Sequence, residues 1–157
     1  MSTLRDLTAE SHAKAEKTMF MRLFMAKAIT EEEYMRYITQ LSVIYTALEF
    51  AANKFGILQE LPGISRLNNI RADVSELNAK LGFQSQIVWA TNSYHNRIVE
   101  MKDRDTVLAH FYVRYSADMY GGQMIKSLAH GSGKLYDFGD SLPFLRQKMR
   151  EVATPNL

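Results

Sequence analysis

Apolar residues recur at spacings of three and four along most of the chain, and strict alternation of apolar and polar positions is nearly absent. The first spacing is typical of helices that bury one face, whereas alternation is typical of strands. The pattern predicts helices over residues 3–17, 20–26, 30–54, 65–80, 85–101, 106–129 and 141–155. The chain is therefore expected to be all-α.

Polar and turn-forming residues mark where several of these helices begin and end. Thr30 and Glu33 have the spacing of a capping box, which predicts the start of the third helix. Gly56 and Gly82 follow the third and fourth helices, and Pro143 suits the first turn of the last one. No repeat or linker interrupts the pattern, so residues 1–157 are expected to form one compact helical domain.

The helix predicted over 106–129 contains two adjacent glycines, Gly121 and Gly122. Each glycine costs a helix roughly 1 kcal/mol relative to alanine. Such a pair is expected either at a kink made for packing or where the backbone contacts a large flat ligand. Asp118 lies one turn earlier and would place a carboxylate beside that ligand, which favours a cofactor site.

Composition narrows the class of protein. The 157 residues are 46% hydrophobic and carry a net charge of +2, without a polybasic arm, so no nucleic-acid partner is expected. The absence of cysteine excludes disulfides and thiolate ligands and fits a reducing cytoplasm, where we expect the protein to reside. The polar N-terminus predicts no signal peptide, and no apolar run reaches the ~20 residues of a membrane span.

A search for metal chemistry leaves single-histidine sites. Glu-x-x-His pairs, His-Glu-x-x-His and phosphate-binding loops are absent from the sequence. The histidines do not cluster in sequence, at His12, His95, His110 and His130. Haem is the cofactor that one proximal histidine can hold. His12 is the best candidate, because Glu16 lies one turn later and can orient its ring, although an ordinary surface histidine is the alternative.

Three segments together resemble one family, the haem oxygenases. Residues 11–16 (SHAKAE) resemble the proximal-helix motif, and residues 108–123 (LAHFYVRYSADMYGGQ) resemble the distal-helix signature. Residues 44–49 (IYTALE) match a further family segment. The resemblance extends over most of the chain and implies an all-α, haem oxygenase-like fold that holds haem between a proximal helix and a kinked distal helix.

The resemblance implies which residues contact the haem ring and its iron. His12 is similar to the axial iron ligand, and Glu16 is similar to its orienting partner. Gly121 and Gly122 resemble the distal glycines that let the helix backbone lie over the iron. Ala117 stands where the family commonly has glycine, so its methyl group is expected either to crowd the distal side and weaken directed proton delivery or to be accommodated by a small backbone shift.

The resemblance also implies contacts with the haem propionates. Arg5 and Tyr112 match family residues at the propionate edge, and Arg146 and Arg150 resemble a basic pair that steers the propionates. Arginine suits this task because its guanidinium can bind a carboxylate through two hydrogen bonds. From the sequence alone, a solvated helix face remains the alternative for Arg146 and Arg150.

Four residues are implied to carry the proton chemistry. Asp118 looks like the distal aspartate, which acts through ordered water, and Arg114, Tyr45 and Tyr94 match residues that hold it and its water network. Ordinary core tyrosines with a buried hydroxyl partner are the alternative for Tyr45 and Tyr94.

The implied activity is cleavage of haem to biliverdin, carbon monoxide and ferrous iron, with dioxygen as co-substrate. Haem is then both substrate and cofactor, bound through His12. The implied partners are a ferredoxin or flavoprotein reductase, docking near the basic haem edge, and a downstream bilin reductase.

Two other hypotheses stay open. A haem-binding sensor or carrier without turnover is suggested by Ala117 and by the chain's end at Leu157, where typical members continue for several helices. With fewer helices over the pocket, we expect a more exposed haem and easier product release. The other hypothesis is a thiaminase-like helical enzyme without haem, disfavoured because hydrolases of that group use a cysteine nucleophile and this chain has none.

Overall fold

The chain was analysed as a computed structural model that describes the backbone of residues 4–154 and the side chains of residues 6–154. The described chain contains eight α-helices: α1 (Leu4–Glu16), α2 (Met19–Met25), α3 (Glu31–Lys54), α4 (Ile57–Glu60), α5 (Leu67–Leu81), α6 (Trp89–Val99), α7 (Arg104–Ile125) and α8 (Leu142–Ala153). Short 3-10 helices lie at Lys126–Leu128, Lys134–Tyr136 and Gly139–Ser141. Residues 4–154 contain no strand, which confirms the all-α prediction. None of the helices within this range is long and apolar enough to cross a membrane.

Helix α3 is the centre of the bundle and packs against α5, α6 and α7. It starts where predicted. The Thr30 hydroxyl accepts a hydrogen bond from the Glu33 backbone NH at 3.2 Å, and the Glu33 carboxylate accepts one from the Thr30 NH at 2.7 Å. This reciprocal capping box satisfies two NH groups that the first helical turn cannot satisfy itself.

Helix α7 packs against α3 on one side and α8 on the other. The largest side chains between these helices are fully buried, among them Tyr45, Leu48, Phe111, Tyr115 and Leu145. The rings of Phe111 and Tyr115 stack at 3.8 Å. These core contacts determine which face of α7 packs against α3, and residues on other faces of α7 are exposed.

A buried carboxylate on α3 caps the N-terminus of α5. Glu49 Oε1 accepts hydrogen bonds from the Arg66 NH at 2.6 Å and the Leu67 NH at 2.9 Å. The Tyr115 hydroxyl donates to the same oxygen at 2.6 Å, and the Ser65 hydroxyl donates to Oε2 at 2.5 Å. One side chain thereby joins α3, the α5 N-terminus and α7.

Two predicted helices differ most from the structure in where they begin and end. The helix predicted from residue 85 begins only at Trp89, because the Gln40 side chain holds the preceding segment extended. Gln40 donates to the Gln86 carbonyl at 2.9 Å and accepts from the Val88 NH at 3.0 Å. The helix predicted over 106–129 begins at Arg104, and its α-helical part ends at Ile125.

A buried aspartate on α5 positions the 3-10 helix at Lys134–Tyr136. The Asp73 carboxylate accepts from the Lys134 NH at 2.9 Å and from the Leu135 NH at 2.8 Å. The Gln123 side chain on α7 donates to the Tyr136 carbonyl at 3.0 Å. These bonds hold Tyr136 against α7.

Candidate functional site

Helix α7 exposes a second apolar face opposite the bundle. The exposed residues of this face lie four, four, four and three positions apart: Ala109, Val113, Ala117, Gly121 and Met124. Val113 is 62% exposed and Met124 is 73% exposed. A contiguous exposed apolar face commonly marks a binding surface. We call these five residues the open face of α7.

The two glycines of α7 have different surroundings. A Cβ added to Gly121 would meet nothing within 4 Å, so its backbone is open at the exposed surface. A Cβ added to Gly122 would lie 2.7 Å from Cδ1 of Tyr136. Gly122 is therefore a packing glycine, and Gly121 alone lies on the open face. The helix stays α-helical through both residues.

Asp118 lies behind the open face and points into the bundle, with 1% of its side chain exposed. It forms an ion pair with Arg114, one turn earlier, in which Nη2 bonds to Oδ1 and Nε lies 3.4 Å from Oδ2. The Arg114 guanidinium lies 6.0 Å from the centroid of the Tyr45 ring. The structure thus brings together three of the four residues predicted to carry proton chemistry.

Burial sets the proton affinity of this carboxyl group. Removal from water raises the pKa of Asp118 well above its usual range, while the adjacent guanidinium favours the ionised form. A raised pKa moves a carboxyl group toward the range in which a general acid works. The arrangement can therefore supply a proton next to the open face.

Tyr94 lies in a separate pair. Its hydroxyl is 2.7 Å from Nδ1 of His110, and Asp118 is not among its hydrogen-bond partners. Burial raises the pKa of Tyr94, and burial lowers the pKa of His110, with Arg97 acting on His110 in the same direction. The predicted role of Tyr94 beside Asp118 stays a prediction.

His12 and Glu16 form the predicted pair on α1. Nδ1 of His12 lies 3.4 Å from Oε1 of Glu16, and the His12 side chain is 73% exposed. Among the larger interhelical contacts of the described chain, α1 makes one, with α2. No contact of the second ring nitrogen, Nε2, with another described residue accompanies this pair, and the role of His12 as an iron ligand stays a prediction.

The predicted propionate contacts have different environments. Arg146 on α8 is half-buried, donates from Nε to the Met119 carbonyl at 3.0 Å, and also bonds that carbonyl from Nη2. Its guanidinium lies 4.4 Å from the centroid of the Tyr120 ring. Arg150, one turn later, is exposed. Arg146 therefore joins α8 to α7, whereas Arg150 is open to solvent.

The two remaining predicted residues lie elsewhere. Tyr112 on α7 is half-buried and packs against the main core. The side chain of Arg5 lies outside the described residues. The roles of both at a propionate edge stay predictions.

Sequence reasoning missed residues that the fold places around Asp118. Tyr34 and Tyr136 were not predicted, and their hydroxyls, like that of the predicted Tyr45, are buried and have no hydrogen-bond partner among the described residues. The four-residue spacing of the open face was a signal that could have shown α7 to be apolar on two faces. No such signal exists for Tyr136, because only the fold places it at Gly122.

The residues present fit haem. The open face offers a flat apolar surface interrupted by no side chain at Gly121. Within residues 6–154, no group of three or more His, Asp or Glu side chains could hold a bare metal ion. The donor set instead suits an iron that arrives with four porphyrin nitrogens and needs one imidazole.

Most of the chain is similar in sequence to proteins of one known family. The family model described as Heme oxygenase matches residues 1–150. A heme oxygenase of Porphyra purpurea is 28% identical over 150 residues, covering 85% of this chain and 60% of its own length. Heme oxygenase 1 of Synechocystis sp. is 29% identical over 146 residues, covering 88% of this chain and 61% of its own length. The chain thus spans about 60% of the length of these curated relatives.

Solved structures agree on the fold. The heme oxygenase of Leptospira interrogans superimposes with a TM-score of 0.81 at 26% identity, covering 97% of this chain and 83% of that one. Heme oxygenase-1 of Synechocystis, crystallised in complex with heme, gives a TM-score of 0.79 at 23% identity, covering 98% and 78%, and supports the fold alone. The family resemblance expected from the proximal and distal segments is confirmed. Because the family model covers nearly the whole chain, the protein belongs to the heme oxygenase family.

Proposed function

We propose that this protein is a haem oxygenase, which cleaves haem to biliverdin, carbon monoxide and ferrous iron with dioxygen and external electrons. One observation carries the proposal most directly: Asp118, with its pKa raised by burial, lies immediately behind an apolar helix face that is open at Gly121. Family membership supports the same activity.

Binding would use α1 and α7 together. His12 would bind the iron through Nε2 while Glu16 accepts a hydrogen bond from Nδ1 and so fixes the ring. The open face of α7 would cover the opposite side of the haem, with Gly121 allowing the closest approach of the backbone.

The haem propionates would meet the basic residues of α8. Arg150 is exposed and no carboxylate of the described chain forms an ion pair with it, so it can bind a propionate directly. Arg146 uses Nε and Nη2 on the Met119 carbonyl, and a guanidinium has five NH donors. The remaining NH donors of Arg146 could make a second, weaker contact with a propionate.

Proton supply would depend on the ion pair on α7. When bound, haem supplies the iron at which dioxygen and electrons meet and the ring carbon that is oxidised. Asp118 would carry the proton on its carboxyl group, and Arg114 would hold that carboxyl in one orientation. Tyr45, beside Arg114, has a buried hydroxyl without a described partner and suits an ordered water beside this ion pair.

A haem-binding sensor or carrier is the second candidate, and Ala117 favours it. Ala117 lies on the open face about one turn before Gly121, so its methyl group would narrow the space over a bound haem ring. If that methyl displaces the water that carries protons, haem is bound without being cleaved. Product formation distinguishes the two functions.

The proposed partners follow from the chemistry. A ferredoxin or flavoprotein reductase would supply electrons and dock near the exposed Arg150, where opposite charge speeds association. A bilin reductase would consume the product. The absence of cysteine supports a reducing compartment, and we propose the cytoplasm.

The binding part of this proposal is tested by titrating haemin into the wild type and into His12→Ala. We expect the histidine-ligated Soret spectrum of the wild type to be lost in His12→Ala. The matched control is His95→Ala on α6, a half-buried histidine whose ring bonds the neighbouring Asn96. A normal spectrum in His12→Ala would assign the iron to another histidine.

A further inference from the structure

Two buried tyrosine hydroxyls lie close enough to Asp118 for its charge to raise their pKa. Tyr34 on α3 and Tyr136 on the 3-10 helix are both fully buried, and neither hydroxyl has a hydrogen-bond partner among the described residues. Buried polar groups nearly always have a partner, from the protein or from ordered water. An unpaired buried hydroxyl of this kind indicates a buried water molecule beside it.

Gly122 brings Tyr136 to Asp118. The position that a Cβ of Gly122 would occupy lies 2.7 Å from the Tyr136 ring and 3.5 Å from Cβ of Asp118. The ring thus fills the space of the missing side chain, directly beside the aspartate. Asp73 and Gln123 fix the backbone on either side of this ring, at Leu135 and at the Tyr136 carbonyl. Tyr136 is consequently held in place from two helices.

The carboxylate has acceptor sites left for these hydroxyls. An ionised carboxylate offers about four lone-pair sites, and Arg114 uses one on each oxygen of Asp118. The electrostatic surroundings agree with this proximity: burial raises the pKa of Tyr136 and of Tyr34 most strongly, and the charge of Asp118 adds to both shifts. Burial raises the pKa of Tyr37, also on α3, most strongly; Arg114 lowers that pKa and Asp118 raises it, and polar contacts with Tyr136 and Arg114 also lower it.

We propose that Tyr136 and Tyr34 share a buried water with Asp118, and that both are positioning residues that stabilise its ionised form from behind. The inference deepens the proposed function, because Asp118 is the proton carrier there. Arg114 would hold one edge of the carboxylate, and the hydroxyls with their water would hold the other. Gly122 then serves the site indirectly, by admitting the Tyr136 ring.

The test titrates Asp118 in the protein without haem. Aspartate labelled with 13C at the carboxyl carbon gives the pKa of Asp118 from its chemical shift, with the signal assigned by its loss in Asp118→Asn. Tyr136→Phe removes one hydroxyl and keeps the ring. We expect it to raise the pKa of Asp118 by about one to two units, since a hydrogen bond to a charged group is worth about 1.5–3 kcal/mol. Tyr34→Phe should raise it in the same direction.

The matched control is Tyr115→Phe, an equally buried tyrosine on α7 whose hydroxyl instead binds Glu49. We expect this variant to leave the pKa of Asp118 unchanged. The inference is overturned if neither Tyr136→Phe nor Tyr34→Phe moves that pKa, or if the control moves it equally. If Tyr136→Phe does not fold, Tyr34→Phe decides alone. Because no haem is present, a failure of haem cleavage would refute the proposed function without touching this result.

Discussion

Gly121 and Gly122, which are adjacent in α7, have different surroundings. Their sequence context could not separate a packing role from a ligand-facing role, since both glycines follow Asp118 within one turn. The structure separates them by their neighbours: Gly121 faces open space and Gly122 faces Tyr136. The sequence predicted a site at this helix turn, and the fold gives its two glycines different surroundings.

Because the two glycines have different neighbours, we expect a glycine-to-alanine substitution to have opposite effects on stability at the two positions. Gly122→Ala should destabilise the protein by about 1–3 kcal/mol, because its methyl group would overlap the Tyr136 ring. Gly121→Ala should leave the free energy of unfolding unchanged or raise it by up to ~1 kcal/mol, since alanine is the better helix former. Urea denaturation of both variants checks this, and equal destabilisation would contradict it.

Gly121→Ala has a second expected effect. Its methyl group would project from the open face, so haem affinity should fall although stability does not. A haemin titration measures this directly. An unchanged affinity would show that the ring does not approach α7 at Gly121.

At the scale of whole helices, local signals predicted well and long-range contacts did not. The start of α3 was predicted because Thr30 and Glu33 are three residues apart and cap each other. The late start of α6 was not, because the Gln40 side chain that holds the preceding segment lies 48 residues from Val88. The capping of α5 by Glu49 was likewise invisible, since it depends on α3 packing beside α5.

Glu49 is expected to be a major structural support of the bundle. Glu49→Gln should lower the free energy of unfolding by about 2 kcal/mol or more, because an amide cannot accept all the hydrogen bonds that the buried carboxylate accepts. Glu60→Gln is the control, since Glu60 forms an exposed ion pair with Arg104 that should be worth less than about 1 kcal/mol. Equal losses in both variants would contradict the capping role.

The Tyr94–His110 pair between α6 and α7 predicts that stability depends on pH. Burial holds the pKa of His110 below its ordinary value of 6.5, so the folded protein binds fewer protons than the unfolded chain between the two pKa values. The contribution of neutral His110 to the stability of the folded protein is therefore complete above pH ~6.5 and is lost as the pH falls through the pKa of His110 in the folded state. His110→Asn keeps a hydrogen-bond acceptor for Tyr94 but does not titrate.

Urea denaturation of the wild type and of His110→Asn at several pH values measures this contribution. The stability advantage of the wild type should shrink as the pH falls below ~6.5. Stability curves that stay parallel across that range would exclude His110 as the titrating group.

For the molecule as a whole, the sequence predicted the all-α class and the family, and both are confirmed. The family was recognisable because its proximal and distal segments are continuous stretches that a single chain displays without its fold. The assignment of residues 1–157 to one domain stays a prediction. The position of Tyr136 beside Asp118 could not be predicted, because the two residues come together only when the 3-10 helix at Lys134–Tyr136 packs against α7 at Gly122.

The most direct test of the proposed function is the optical spectrum of the protein with one equivalent of haemin, followed after a ferredoxin-based reducing system is added in air. We predict that the Soret band forms and then decays into biliverdin absorbance, and that Asp118→Ala forms the band but yields little biliverdin. A Soret band that persists in the wild type would contradict the proposed haem oxygenase activity and leave a haem-binding protein without turnover.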